Sequence, residues 1–113
     1  MIFAIEGIGK DEDEKLADAI FKAEGGYRAD YLYGIRSVPY KNAADARKIC
    51  LETIKNYRKR YSEQKSDLTF LEYLAKHYAP IGAKNDPRKL NKYWLRNVMA
   101  HLEPHTLTRI AND

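Results

Sequence analysis

The stretch with the clearest chemical potential is Glu24-Gly25-Gly26, an acid followed at once by two glycines. An apolar stripe at helical spacing runs up to this acid, so Glu24 is expected to end a helix. The negative end of the helix dipole and partial burial would both raise the pKa of its carboxyl group. An acid that stays protonated near neutral pH is the general acid that glycosidic-bond cleavage requires. Alternatively, Glu24 is an exposed last-turn residue and a glycine supplies the left-handed cap.

Polar residues that a sugar-cleaving site would use occur in the segment after Glu24 and in two later helices. Asp30 is either a plain turn residue or the second carboxylate, which in an inverting glycosidase lies ~6.5–9.5 Å from the acid and holds a water. Tyr78 is expected either to hydrogen-bond Glu24 and hold its proton, or to pack in the core. Asn97 interrupts an aromatic face that includes Trp94, either as a satisfied core amide or as part of a cleft wall.

Other chemistries have less support in the sequence. The glycine-rich region matches neither a phosphate-binding loop nor a dinucleotide fingerprint, and no nucleophile elbow is present. None of the histidines has cysteine or carboxylate at metal-ligand spacing, so neither a metal nor a cofactor is predicted; they are His77, His101 and His105. Cys50 lies in the apolar stripe of a predicted helix and is expected to be an inert buried thiol.

Length and composition favour one globular domain spanning residues 1–113. The chain is 44% hydrophobic and 32% charged, which is typical of a globular protein rather than a disordered one. No apolar run is long enough to span a membrane, and the first residues are too acidic for a signal peptide, so synthesis in the cytoplasm is expected. The net charge of +4 favours polyanionic partners: nucleic acid, anionic lipid or the acidic bacterial wall.

The elements that must position these residues are predicted to be about four amphipathic helices, which makes the fold mainly α. A short strand or an arm is expected over residues 1–11, and a glycine-rich loop or small hairpin over 25–41. The helices are predicted near residues 12–24, from the N-cap Asn42, near 67–78 with Ser66 or Asp67 as cap, and from Asp86-Pro87 to Pro104. A last helical turn is predicted around 106–111.

Several of these segments together resemble the lysozyme-like superfamily, and most closely the small lytic-transglycosylase-like domains of phage and prophage proteins. The segments are Ala19-Ile20-Phe21-Lys22-Ala23-Glu24-Gly25-Gly26, Tyr33-Gly34-Ile35, residues 70–80, Asn85-Asp86, Trp94 and Asn97-Val98. The resemblance implies a lysozyme-like fold in which Glu24 is the catalytic glutamate. It also implies that the following glycine-containing loop forms one wall of the cleft, and that Tyr78 contacts the glutamate. The expected substrate-binding residues are Tyr33, Gly34, Ile35, Ser37, Tyr40, Tyr78, Trp94 and Asn97.

The function that this resemblance implies is cleavage of the β-1,4 bond between N-acetylmuramic acid and N-acetylglucosamine in peptidoglycan strands. Glu24 would act as general acid and base, either in hydrolysis assisted by Asp30 or in formation of a 1,6-anhydro product. A monomer acting at the bacterial cell wall, as a phage endolysin or virion component, is expected. The alternative is a noncatalytic basic helical module that binds nucleic acid or a protein partner. Its basic face would comprise Arg47, Lys48, Lys55, Arg58 and Lys59.

Overall fold

The fold is mainly α-helical, as the periodicity predicts. A computed structural model describes the backbone of residues 2–111 and the side chains of residues 12–110. Within that range the backbone forms five α-helices and contains no β-strand. The helices are α1 (Ile2–Ala23), α2 (Ala43–Glu63), α3 (Phe70–Tyr78), α4 (Trp94–Ala100) and α5 (Pro104–Ala111). The predicted last helical turn is therefore a helix of its own, α5.

The segment before Glu24 differs from its prediction. A short strand or arm was expected over residues 1–11, but the described backbone is helical from Ile2 onward. A helix satisfies its own backbone hydrogen bonds, whereas a strand needs a partner, and none is present among residues 2–111. Of the two alternatives for the segment after Glu24, the loop forms rather than the hairpin, and it contains two 3₁₀ turns, Gly26–Arg28 and Leu32–Gly34.

Side-chain caps decide where α2 and α3 begin. The predicted N-cap Asn42 is confirmed, because its side chain accepts the Asp45 N–H at 2.8 Å. The predicted caps Ser66 and Asp67 of α3 are wrong. Thr69 and Glu72 form a capping box, in which each side chain accepts the other residue's backbone N–H, at 3.2 and 2.9 Å.

The helix predicted from Asp86-Pro87 begins later than expected. Asp86 is buried, and its carboxylate accepts the backbone N–H groups of Gly82 at 3.0 Å, Leu90 at 2.8 Å and Asn91 at 3.1 Å. The Asp86 carboxylate therefore holds together a loop from Gly82 to Asn91 instead of capping a continuous helix. A left-handed residue, Lys89, and a 3₁₀ turn (Leu90–Tyr93) then lead into α4.

The core forms around α1, which packs against α2, α4 and α5. The largest fully buried side chains are Leu16, Ile20, Cys50, Ile54, Phe70, Leu74, Val98 and Ile110. Cys50 is buried as predicted, and burial raises the pKa of its thiol to about 12, although the Tyr78 hydroxyl opposes that rise. None of the described helices is long and apolar enough to cross a membrane. This packing fixes the C-terminal end of α1, where Glu24 lies.

Candidate functional site

Glu24 terminates α1 as predicted. Its N–H donates to the Ile20 carbonyl at 2.9 Å, and Gly25 then takes a left-handed conformation with φ +110°. The carboxyl group is half-buried, and this burial raises its pKa. The Trp94 indole N–H and the positive charge of Arg36 act in the opposite direction without cancelling the rise. Glu24 is thus both the end of a helix and a perturbed acid.

The backbone of Gly34 lies directly against the Glu24 carboxyl group. A Cβ atom at Gly34 would come within 2.1 Å of Glu24 Oε2, and the residue has a left-handed φ of +70°. Only glycine meets both conditions without strain. Two tyrosine hydroxyls hold the turn that carries Gly34. Tyr78 donates to the Tyr33 carbonyl, and Tyr40 accepts the Leu32 N–H at 2.9 Å.

Trp94 supports the acid from the side of the core. It is only 5% exposed, and its ring stacks on that of Tyr78 with 5.1 Å between centroids. The indole N–H faces the Glu24 carboxyl group closely enough to oppose the rise in its pKa. The contact nevertheless falls short of hydrogen-bond geometry, and within residues 12–110 this buried N–H has no partner. The Trp94 indole N–H is therefore an unused hydrogen-bond donor beside the Glu24 carboxyl group.

Two small cavities share three lining residues: Glu24, Gly34 and Arg36. The first has a volume of about 190 Å³, and the further residues that line it are Ala29, Asp30 and Tyr31. The second has a volume of about 100 Å³, and its further lining residues are Tyr78, Ala79, Pro80, Asn85 and Asn91. The acid is thus reachable from two sides, with a carboxylate on one side and carboxamides on the other.

The structure brings some of the predicted site residues to Glu24 and places others elsewhere. Asp30, Gly34 and Tyr78 line cavities that contain the acid. Ile35 and Ser37 line a cavity of about 260 Å³ that also contains Gly34 and Tyr78 but lacks Glu24.

The remaining predicted contact residues need correction. Tyr33 and Trp94 are both 5% exposed and belong to the core, so neither presents a ring to a ligand. The Tyr78 hydroxyl donates to the Tyr33 carbonyl rather than to Glu24, and the Tyr40 hydroxyl accepts the Leu32 backbone N–H.

Asn97 is exposed on α4 and lines neither cavity that contains Glu24. It is therefore not a core amide, and its predicted place in a cleft wall stays a prediction.

Three polar lining residues were not singled out from the sequence: Tyr31, Arg36 and Asn91. Asn85-Asp86 occurs in the resemblance, and this segment marks the loop that closes the second cavity. Arg36 lies in an irregular loop and carries no pattern that would distinguish it from other surface arginines. The tyrosine beside it, Tyr31, has its ring 4.5 Å from the Arg36 guanidinium carbon.

The predicted basic face of α2 is partly used inside the fold. Arg47 pairs with Asp18, and Arg58 pairs with Asp13 at 2.8 Å, so both arginines fasten α2 to α1. Arg58 also lies over the Phe70 ring. The lysines of this face are exposed, and they are Lys48, Lys55 and Lys59. Two of the five predicted cations therefore take part in contacts between helices, and three are exposed lysines.

Among side chains 12–110, no group of three or more His, Cys, Asp or Glu residues is placed to hold a metal ion. His77, one of the histidines considered above, stacks on Tyr57 with ring centroids 5.2 Å apart.

Comparison with known proteins gives no family assignment: no protein-family model matches the chain, and no solved structure matches it. The geometry around Glu24 is therefore the basis for a functional assignment.

Proposed function

We propose that this protein is a lysozyme-like peptidoglycan-cleaving enzyme that acts on the β-1,4 bond between N-acetylmuramic acid and N-acetylglucosamine. The observation that carries the proposal is the half-buried Glu24 carboxyl group, whose pKa is raised and which lines two cavities. A raised pKa keeps the proton on a carboxylic acid at the pH where it must be donated. The enzyme would act at the bacterial cell wall, as a phage endolysin or a virion component.

In the first step, Glu24 protonates the glycosidic oxygen as the bond from that oxygen to the muramic C1 breaks. The proton leaves with the N-acetylglucosamine hydroxyl, and Glu24 becomes a carboxylate. Two groups favour that charge: the Arg36 guanidinium and the unpartnered Trp94 N–H. Both groups are in place before the charge develops, so its stabilisation requires little rearrangement.

The second step is either hydrolysis, which requires Asp30, or transglycosylation, which does not. In hydrolysis, Asp30, which lines the same cavity as Glu24, accepts a proton from the water that attacks C1. In transglycosylation, the muramic 6-hydroxyl attacks C1 and passes its proton to the Glu24 carboxylate, which gives a 1,6-anhydro sugar. Transglycosylation returns Glu24 directly to its protonated form, whereas after hydrolysis Asp30 releases its proton to solvent and Glu24 takes one up from solvent.

The test is the loss of turbidity of purified peptidoglycan, with mass spectrometry of the released fragments. We expect wild type to clear the suspension and Glu24→Gln to lose about 10²–10⁴-fold in rate, the usual contribution of general acid–base catalysis. Reducing ends, lost in Asp30→Asn, would identify hydrolysis, whereas anhydro ends that persist in Asp30→Asn would identify transglycosylation. Failure of folded wild type to clear walls of several types would contradict the proposal.

A further inference from the structure

Arg36 is the cation common to both cavities at Glu24. Its side chain is exposed, and the guanidinium carbon lies 4.5 Å from the centroid of the Tyr31 ring. Stacking on a tyrosine restricts a long side chain and leaves its N–H donors at the edge free to bind. Within residues 12–110, Arg36 forms no ion pair. A positioned cation is thus available at the acid.

The two cavities differ in what an anion would meet there. The first contains the carboxyl groups of Glu24 and Asp30, and Asp30 would repel an incoming negative charge. The second contains Asn85 and Asn91 and, apart from Glu24, no acidic residue. Burial favours the neutral form of Glu24, and the second cavity holds the Arg36 charge without a further carboxylate, so this cavity favours an anion.

The loop of the second cavity has a fixed shape. The buried Asp86 carboxylate accepts the Asn91 N–H at 3.1 Å, and the Asn91 side-chain amide donates to the Pro80 carbonyl at 2.9 Å. Asn85 precedes Asp86 directly and is exposed. Carboxamide groups of this kind suit the N-acetyl and hydroxyl groups of a sugar.

We propose that Arg36 binds a substrate carboxylate in the second cavity, so that the muramic sugar and its lactyl arm lie on the Asn85 side of Glu24. This inference rests on the proposed function and adds to it the orientation of the glycan. Two sources offer the same chemistry: the lactyl carboxylate itself where no peptide is attached, and the carboxylates of the stem peptide where one is.

Binding can be measured apart from catalysis in the Glu24→Gln variant, where glutamine mimics the protonated acid. The ligands are the N-acetylglucosamine–N-acetylmuramic acid disaccharide, its lactyl methyl ester, and the disaccharide carrying a dipeptide. Each is titrated by NMR into Glu24→Gln and into Glu24→Gln combined with Arg36→Gln. Arg60→Gln in the same background is the matched control, because Arg60 also stacks on a tyrosine, Tyr57, and lies outside all the cavities described above.

We expect at least one carboxylate-bearing ligand to bind about tenfold more tightly than the methyl ester, as a charge-assisted hydrogen bond predicts. Arg36→Gln should remove that difference, and Arg60→Gln should leave it intact. The ligand that loses affinity identifies the source of the carboxylate. Equal binding of ester and acids, or a preference that survives Arg36→Gln, would overturn the inference.

The failures of the two proposals are distinguishable. Wall clearing that requires Glu24, with no carboxylate preference in the titrations, would leave the proposed function standing and remove this inference. A carboxylate preference that depends on Arg36, without wall clearing by wild type, would support the binding assignment and remove the catalytic one.

Discussion

The protonation state of Glu24 depends on three neighbouring influences. Burial at the end of α1 raises the pKa of the carboxyl group, while the Trp94 N–H and the Arg36 charge limit that rise. Burial favours the neutral acid, which can donate a proton, and the two donors favour the carboxylate left behind. In the proposed mechanism, the same residues would therefore serve both the donation and the recovery of the proton.

Gly34→Ala tests how closely the loop approaches the acid. The new Cβ would fall within 2.1 Å of Glu24 Oε2, so the carboxyl group must move and clearing of peptidoglycan should be largely lost. The left-handed backbone should also lower the free energy of unfolding by about 1–2 kcal/mol. Turbidity assays and denaturant titrations measure the two effects.

Gly82→Ala is the control for that substitution. Gly82 has a φ of +73°, but a Cβ there would meet only the flexible Lys89 side chain, at 3.8 Å. We expect Gly82→Ala to lower the free energy of unfolding about as much as Gly34→Ala does, but to retain clearing of peptidoglycan. Equal clearing by Gly34→Ala and Gly82→Ala would contradict the contact between Gly34 and Glu24.

Trp94→Phe tests the indole N–H. Phenylalanine keeps an aromatic ring beside Tyr78 but removes the donor that lowers the pKa of Glu24, so this pKa should rise further. Since the proposed mechanism requires the protonated form of Glu24, the alkaline limb of the pH–rate profile should move to higher pH. An unchanged alkaline limb in a folded variant would show that the N–H does not act on Glu24.

Sequence patterns identified the acid better than they identified its surroundings. Glu24 was recognisable because a helical stripe, an acid and two glycines lie in one stretch. Tyr33, Tyr78 and Trp94 were assigned to substrate contact, yet their rings pack in or against the core and act on the acid through the loop backbone or from behind. Aromatic residue type does not distinguish a core ring from a binding ring, since both bury apolar surface.

At the scale of elements, the segment from Gly82 to Asn91 takes its shape from Asp86. Burial disfavours ionisation of its carboxyl group, but three backbone N–H groups outweigh burial and lower its pKa. The carboxylate holds both ends of a loop whose residues Asn85 and Asn91 line the second cavity. One side chain thus organises a wall of the site without facing it.

Asp86→Asn should weaken that loop. An amide has one acceptor oxygen, and its NH₂ group would face backbone donors, so the melting temperature at pH 7 should fall. Because the folded-state pKa of Asp86 is lowered, its contribution is present above the unfolded-state value near 3.8 and is lost as the pH falls through the folded value.

The difference in melting temperature between wild type and Asp86→Asn should therefore shrink as the solution is acidified. Asp67→Asn is the control, because Asp67 is exposed and its substitution should leave the melting temperature nearly unchanged. A difference independent of pH would mean that Asp86 does not act as a carboxylate.

Helix positions were predictable where a cap acts locally. Asn42 was identified as a cap because asparagine is a favoured cap residue and Asp45 lies three residues further on. Thr69 and Glu72 also form a recognisable Thr-x-x-Glu pattern, but the polar residues before them suggested an earlier start. The Asp86-Pro87 pair suggested a helix start. In the structure, however, the Asp86 carboxylate also accepts the N–H of Gly82, four residues earlier in the chain. Such backward contacts depend on the path of the chain and leave no periodic signal.

For the whole molecule, Cys50 offers a probe of cooperativity. It is fully buried, and burial raises its pKa to about 12, so a thiol reagent at pH 8 should react only when the core opens. We expect slow modification of the native protein and immediate modification in denaturant. Rapid modification without denaturant, at the rate of a free thiol, would show that α2 separates readily from α3 and the loop at Tyr33.

The position of Trp94 also has an optical consequence. It is the only tryptophan of the chain, and its indole faces the carboxyl group of Glu24. All indole emission therefore originates beside the acid, and that emission responds to charge and polarity within a few ångströms. The fluorescence of the unmodified protein should report the ionisation of Glu24 and the arrival of a ligand, without a dye, a label or a turning-over substrate.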